Sequence, residues 1–190
     1  MQTKKRLALS ESRIRTSSMR DKLRESKGFT LIELLIVIAI IAILAIIIVI
    51  AINPARILEK SRDSQRFSDM TTLATAVNLY LADNHDFASL AGPYSTFPVV
   101  GSENAMKKND GTGWVPINFT LVSSGAPLAA LPMDPTNDAT YYYSFGVSVA
   151  SKTYEIDAAF QSADNTGKHA ADGGNNANRY EVGTDLTILL

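Results

Sequence analysis

Residues 34–52, LLIVIAIIAILAIIIVIAI, form 19 consecutive positions without a charge and with almost no polarity. A helix needs about 18 to 20 such residues to cross the hydrocarbon core of a bilayer, so this run is long enough to span one. Each Leu, Ile or Val favours insertion by roughly 0.3 to 0.6 kcal/mol, which together outweighs the roughly 2.5 to 3.5 kcal/mol that one carboxylate costs even at the membrane centre. Glu33 stands just before the run, where that cost is smaller. A cleaved secretory signal fits less well. Its apolar core runs to about 7 to 15 residues and ends at a small-residue cleavage site, which AINPAR at residues 51–56 imitates weakly.

Charge is segregated across this segment. Residues 1–28 hold nine Lys or Arg against three Asp or Glu, whereas the rest of the chain holds nine against sixteen. A basic arm beside a spanning helix predicts that the arm stays cytoplasmic and that residues from about 53 onward face outward. The outward part contains no cysteine. Exported domains commonly use disulfides, so this one depends on packing, on a metal or on neighbouring subunits.

Beyond the apolar run, Phe67, Met70, Leu73, Ala74, Val77 and Leu81 recur at steps of three and four residues, the mark of an amphipathic helix. Asn53-Pro54 is compatible with a fresh cap or with a kink. The reading adopted is one long kinked helix over residues 29–82. Residues 83–116 are rich in Gly, Pro, Asn and Ser and predict a connecting loop with a short helix at 103–108. INFTLV, TYYYSFGV, TYEIDAAF and RYEVGTDLTILL are aromatic and β-branched runs between turn-rich pieces, which predicts an antiparallel sheet covered by the amphipathic helix. Residues 164–178, DNTGKHAADGGNNAN, read either as a mobile loop between two strands or as a loop whose Asp164, Asp172 and Asn side chains hold calcium. Their spacing does not match the helix-loop-helix calcium pattern.

Catalytic motifs are missing from the sequence. His85 and His169 are far apart in polar contexts and read as exposed loop residues, and there is no GxSxG elbow, phosphate-cradling glycine loop or cysteine nucleophile. The chain is therefore not expected to be an enzyme, and no catalytic or metal-ligating residue is assigned. The acidic outward part argues against direct nucleic-acid binding. Arg56, Lys60, Arg62 and Arg66, interleaved with Glu59 and Asp63, read as a solvated or headgroup-facing helix side.

Lys27-Gly28-Phe29-Thr30-Leu31-Ile32-Glu33, with a basic arm before it and an apolar run after it, resembles the processing and assembly motif of type IV pilins and of the pseudopilins of type II secretion. LYLADN at the helix end and LPMDP before a tyrosine-rich strand are similar to the family with less specificity. The resemblance implies that a prepilin peptidase cuts between Gly28 and Phe29 and N-methylates the new Phe29 amine. It also implies that Glu33 pairs with the N-terminal ammonium of a neighbouring subunit. A buried carboxylate is tolerable only with a hydrogen-bonded opposite charge, and cleavage supplies one. The lack of cysteine departs from the many type IV pilins that close their C-terminal region with a disulfide.

These readings combine into an α+β, pilin-like fold in which a long N-terminal helix, transmembrane and then amphipathic, packs on a small antiparallel sheet. Residues 1–28 form a leader removed on maturation, 29–53 the apolar helix, 54–82 the amphipathic helix and 83–190 the extracytoplasmic head. The expected function is the precursor of a filament subunit. The alternative is a single-span anchored binding domain that does not polymerise. Expected partners are the peptidase, identical or related subunits, an assembly machinery with an external ATPase motor, and the lipid bilayer before assembly. The expected location is the cytoplasmic membrane in a single pass, then an extracellular or periplasmic filament. No cofactor is expected beyond the calcium considered for residues 164–178.

Overall fold

The structure, a computed structural model, describes residues 28–189, so the expected leader lies outside the described residues apart from Gly28. The chain divides into two compact units, one reaching to Ile48 and one from Val49 onward. Helix α1, Leu31–Ile52, has 22 residues and no buried side chain. At 1.5 Å per residue it is about 33 Å long, enough to cross a bilayer core.

The expected single kinked helix is instead two. Asn53 adopts a left-handed conformation (φ 48°) and caps helix α2, Pro54–Ala82, its side-chain oxygen accepting the Arg56 N–H at 3.5 Å. Two effects combine at this position. Proline disfavours right-handed helix in the residue before it, and asparagine tolerates the left-handed region better than most residues. Pro54 then starts α2 at the position where its missing N–H is least felt.

The head carries a four-stranded antiparallel meander in the order β1 (Tyr94–Ser95), β2 (Tyr143–Ser148), β3 (Thr153–Ala158), β4 (Tyr180–Gly183). Three of these strands lie in the runs read as strands. INFTLV does not form one: Asn118 accepts the Thr120 N–H and turns Phe119–Leu121 into a single 3-10 turn. The first strand comes from the segment read as loop, which also holds helix α3, Glu103–Met106. The C-terminal run stops being a strand at Gly183, and a one-turn helix α4, Ala163–Thr166, follows β3.

Alternation in β2 and β3 sends Tyr143, Phe145, Tyr154 and Ile156 toward α2, where they pack with Met70, Leu73 and Val77. Phe87, Phe145 and Tyr154 meet with ring centroids 6.4 to 6.5 Å apart. Two phenols also tie the sheet to the helix. Tyr143 donates to Asp69 Oδ2 at 2.8 Å, and Tyr154 donates to Asn78 Oδ1 at 3.0 Å. Burial beside Asp69 pushes the Tyr143 hydroxyl up, and burial pushes the Asp69 carboxyl up as well, so the proton stays on the phenol.

The buried stripe of α2 extends further toward its N-terminus than the apolar residues indicate. Asp63 and Arg66 continue the three-and-four spacing of Met70, Leu73 and Val77 and are 2% and 0% exposed. Arg66 forks onto Asp134, with Nε to Oδ2 at 2.6 Å and Nη2 to Oδ1 at 2.9 Å, and reaches Asp63 Oδ1 through Nη1 at 2.8 Å. The other three basic residues of this helix side are also engaged by the head: Arg56 and Lys60 by Asp164, and Arg62 by Gln161. Of the side expected to be solvated or headgroup-facing, Arg56 and Lys60 stay exposed while Asp63 and Arg66 are buried against the head. Arg66→Ala would leave two buried aspartates without their cation, and an expected loss of about 3 to 5 kcal/mol lowers Tm by on the order of 10 °C in melts of the full chain in detergent. Arg66→Lys recovers only part of that loss, because an ammonium cannot form the planar fork.

Candidate functional site

Gly28, Phe29 and Thr30 precede α1 without regular structure and are exposed, Phe29 at 89%. A Cβ built on Gly28 meets nothing within 4 Å, so the peptide link to Phe29 is open to approach. Glu33 lies in the first turn of α1. Its Oε2 accepts the Thr30 N–H at 2.8 Å and the Thr30 hydroxyl at 2.9 Å, while the Glu33 N–H donates back to Thr30 Oγ1 at 3.2 Å. This reciprocal arrangement is the capping box, in which Thr and Glu three residues apart satisfy each other's backbone donors. The helix dipole favours the same placement, since a carboxylate near a helix N-terminus meets partial positive charge.

Thr30 is the capping residue to which the sequence reading gave no role, although its signal, T-x-x-E directly before an apolar run, is present. Glu33 has hydrogen-bond partners in its own chain and does not depend on a second subunit for them. In the full-length chain the Phe29 nitrogen is an amide and carries no charge, so the expected ion pair has no cationic half at this position before cleavage.

Residues 23–49 match the family model of the prokaryotic N-terminal methylation motif. The chain carries a prepilin-type methylation motif. That motif is consistent with the type IV pilin and pseudopilin family, and it covers the residues that set out Gly28, Phe29, Thr30 and Glu33 together with most of α1. No curated protein and no solved structure matches the chain. The apolar α1 fits a membrane anchor bearing this motif.

The head loop read as a possible calcium site engages protein partners. Asp164 is held by Lys60 and Arg56, which keep its carboxyl below the usual carboxylate range. Asp172 accepts the Gly174 N–H at 2.9 Å through one oxygen and the Glu181 N–H at 2.8 Å through the other. Among the described residues no group of three or more His, Cys, Asp or Glu side chains is placed to hold a metal ion.

His169, expected to be exposed, is buried. Its Nε2 accepts the Phe160 N–H at 3.0 Å, and its ring lies 5.4 Å from that of Phe160. Burial holds its pKa below the ordinary range and keeps the ring neutral, as an accepting nitrogen requires. His85 is half-buried and stacks on Tyr80 with centroids 4.5 Å apart. The neighbouring aromatic explains each position, and sequence distance hid one of the two.

Thr30→Val keeps the side-chain shape and removes the hydroxyl from the capping box. An expected loss of about 1 kcal/mol corresponds to roughly fivefold faster hydrogen exchange at the amides of residues 31–34, measured on the full chain in micelles.

Proposed function

We propose that this chain is the precursor of a structural subunit of a type IV pilus or pseudopilus. In this reading a prepilin peptidase cuts after Gly28, Phe29 is N-methylated, and subunits associate through α1. The observation that carries the reading is the methylation motif set at the start of a helix whose large apolar side chains are all exposed, for example Ile40 at 52% and Leu44 at 52%. Such a surface is stable only in lipid or against other apolar helices, which are the two environments a filament subunit occupies in turn.

The chemistry of Glu33 supports the same sequence of events. Cleavage converts the Phe29 amide into an amine that is protonated near neutral pH, with or without methyl groups. The two Thr30 bonds both fall on Oε2. The other oxygen then receives the ammonium of a neighbouring subunit, and the pair neutralises a charge that would be expensive among apolar helices. Before assembly the basic arm remains cytoplasmic and the head lies outside the membrane. Extraction from the bilayer requires work from an external ATPase motor, since the sequence has no nucleotide-binding motif. The function is mechanical and associative, without a catalytic step in this chain.

Mass spectrometry of chains purified from cells is expected to find an N-terminus at methylated Phe29, and a retained Met1 in mature cell material overturns the reading in favour of an anchored domain that does not polymerise. Glu33→Ala is expected to leave cleavage intact and to reduce incorporation into filaments on the order of 100-fold, the equivalent of about 3 kcal/mol for an unpaired charge. Quantifying sheared filament protein against membrane-bound protein checks this.

A further inference from the structure

The face of the sheet turned away from α2 is acidic and buried. The register pairs Gly146 with Glu155, Glu155 with Gly183, and Asp157 with Glu181, so the three carboxylates share one face. Glu155 is 0% exposed, and Asp157 and Glu181 are 2% exposed. Two segments cover them. Residues 184–189 lay Leu189 over Gly146 and donate the Ile188 and Leu189 N–H groups to Glu155 Oε2 at 2.7 and 2.8 Å. The loop after α4 donates the Asn176 N–H to Glu181 Oε2 at 3.1 Å and runs so close that a Cβ on Gly174 would strike the Glu181 carboxylate.

Asp157 has a cation, Arg179, at 2.9 Å. Glu155 and Glu181 differ in this respect. Each gives Oε2 to backbone N–H groups, and each keeps Oε1 buried without a donor. Beside them, among the described residues, stand Asp172 from the loop, which accepts the Glu181 N–H, and Asp157 on the same sheet face, paired with Arg179 just before β4, so acidic groups outnumber the cation there. Glu155 and Glu181 are diagonal neighbours across β3 and β4, within reach of long side chains, and two buried carboxylates so placed, each with an unserved oxygen, cannot both ionise without a large penalty.

We propose that Glu181 keeps a proton that it donates to Glu155, that the pair acts as a latch clipping residues 184–189 and the Asp172–Asn176 loop onto the back of the sheet, and that the latch weakens as pH rises toward neutrality.

Desolvation first, and then the hydrogen bond to Glu155, pushes the Glu181 carboxyl up to about 7. A folded-state value above the ordinary carboxylate value means that the folded protein holds the proton more tightly. The latch is therefore fully closed in the range below the ordinary Glu value and is lost as pH rises through about 7. His169 has the opposite sign, since its depressed value makes it a liability only as pH falls.

The test is hydrogen exchange of the C-terminal peptide of the full chain in detergent, corrected for intrinsic rates. Protection of Ile188 and Leu189 is expected to be constant below the ordinary Glu value, to fall toward tenfold per pH unit between there and about pH 7, and to level off above it. Glu181→Gln, which supplies a donor that does not titrate, is expected to remove that slope. A pH-independent wild type, or a Gln variant with an unchanged slope, overturns the proposal. Should the variant fail to fold, infrared spectroscopy of the wild type decides: a protonated-carboxyl band present at about pH 6 and lost by about pH 8 is expected, and its absence overturns the latch. Adding EDTA at neutral pH is expected to change nothing, and a loss of protection would mean that a cation joins the two carboxylates. None of these outcomes depends on whether the chain enters a filament.

Discussion

Arg66 lies within α2 with no exposed surface, and the head is arranged around its guanidinium. Removing an arginine from water is costly, and the cost is offset only where geometry and counter-charge are both good. Here Asp134 takes two parallel bonds and Asp63 a third, while the ring of Tyr141 lies 5.0 Å below the guanidinium carbon. The two aspartates carry the order further. Asp134 Oδ1 accepts the N–H groups of Thr136 and Asn137, and Asp63 accepts those of Gln161 and Ser162 together with the Asn165 amide. One cation therefore sets both the segment leading into β2 and the segment leaving β3. The stability of α2 against the sheet and the course of the loops are parts of one network.

The chain's two units satisfy different solvents. In α1 the backbone is helical from Leu31 to Ile52 and no charge follows Glu33, as a hydrocarbon environment requires. Its one difficult point, the first turn, is closed by Thr30 and Glu33. In the head, charges are abundant, and the buried ones have found partners: Arg66 with two aspartates, and Arg179 with Asp157 and the Tyr142 ring at 4.3 Å. Glu155 and Glu181 stand outside this pattern: like Asp157 each has an unserved oxygen, but unlike Asp157 neither has a cation, and for that reason they are the place where the head responds to pH.

The features readable from the sequence were those with a local cause. The apolar run, the stripe from Met70 to Val77 and the strands containing Tyr143, Tyr154 and Tyr180 all appear at or near their expected positions, because periodicity of burial is written into neighbouring residues. Departures came where a specific side-chain partner, near or remote, overrode the pattern. Arg66 sits on the buried stripe by spacing, yet as a charge it read as surface until Asp134, 68 residues away, supplied its counter-ion. His169 looked exposed within a Gly- and Asn-rich loop until Phe160 placed a ring and an N–H against it. INFTLV had strand composition, but the Asn118 side chain captured the Thr120 amide and turned the backbone. At Asn53 the two local signals, cap and kink, were both present, and the backbone resolved them as a cap.

Sequence alone determined the N-terminal logic. Gly28, Phe29, Thr30 and Glu33 lie close together along the chain at the start of α1, and the run from Leu34 to Ile52 needs no partner to declare its preference for an apolar surrounding, so what this end offers depends on order along the chain. Tertiary structure alone decided the ionisation of the head. Whether Arg66 is solvated or clamped, whether His169 is charged or neutral, and whether Glu181 is charged or neutral are set by which segment covers them. A pKa follows local dielectric and neighbouring charge, and both are properties of packing that no short stretch of sequence contains.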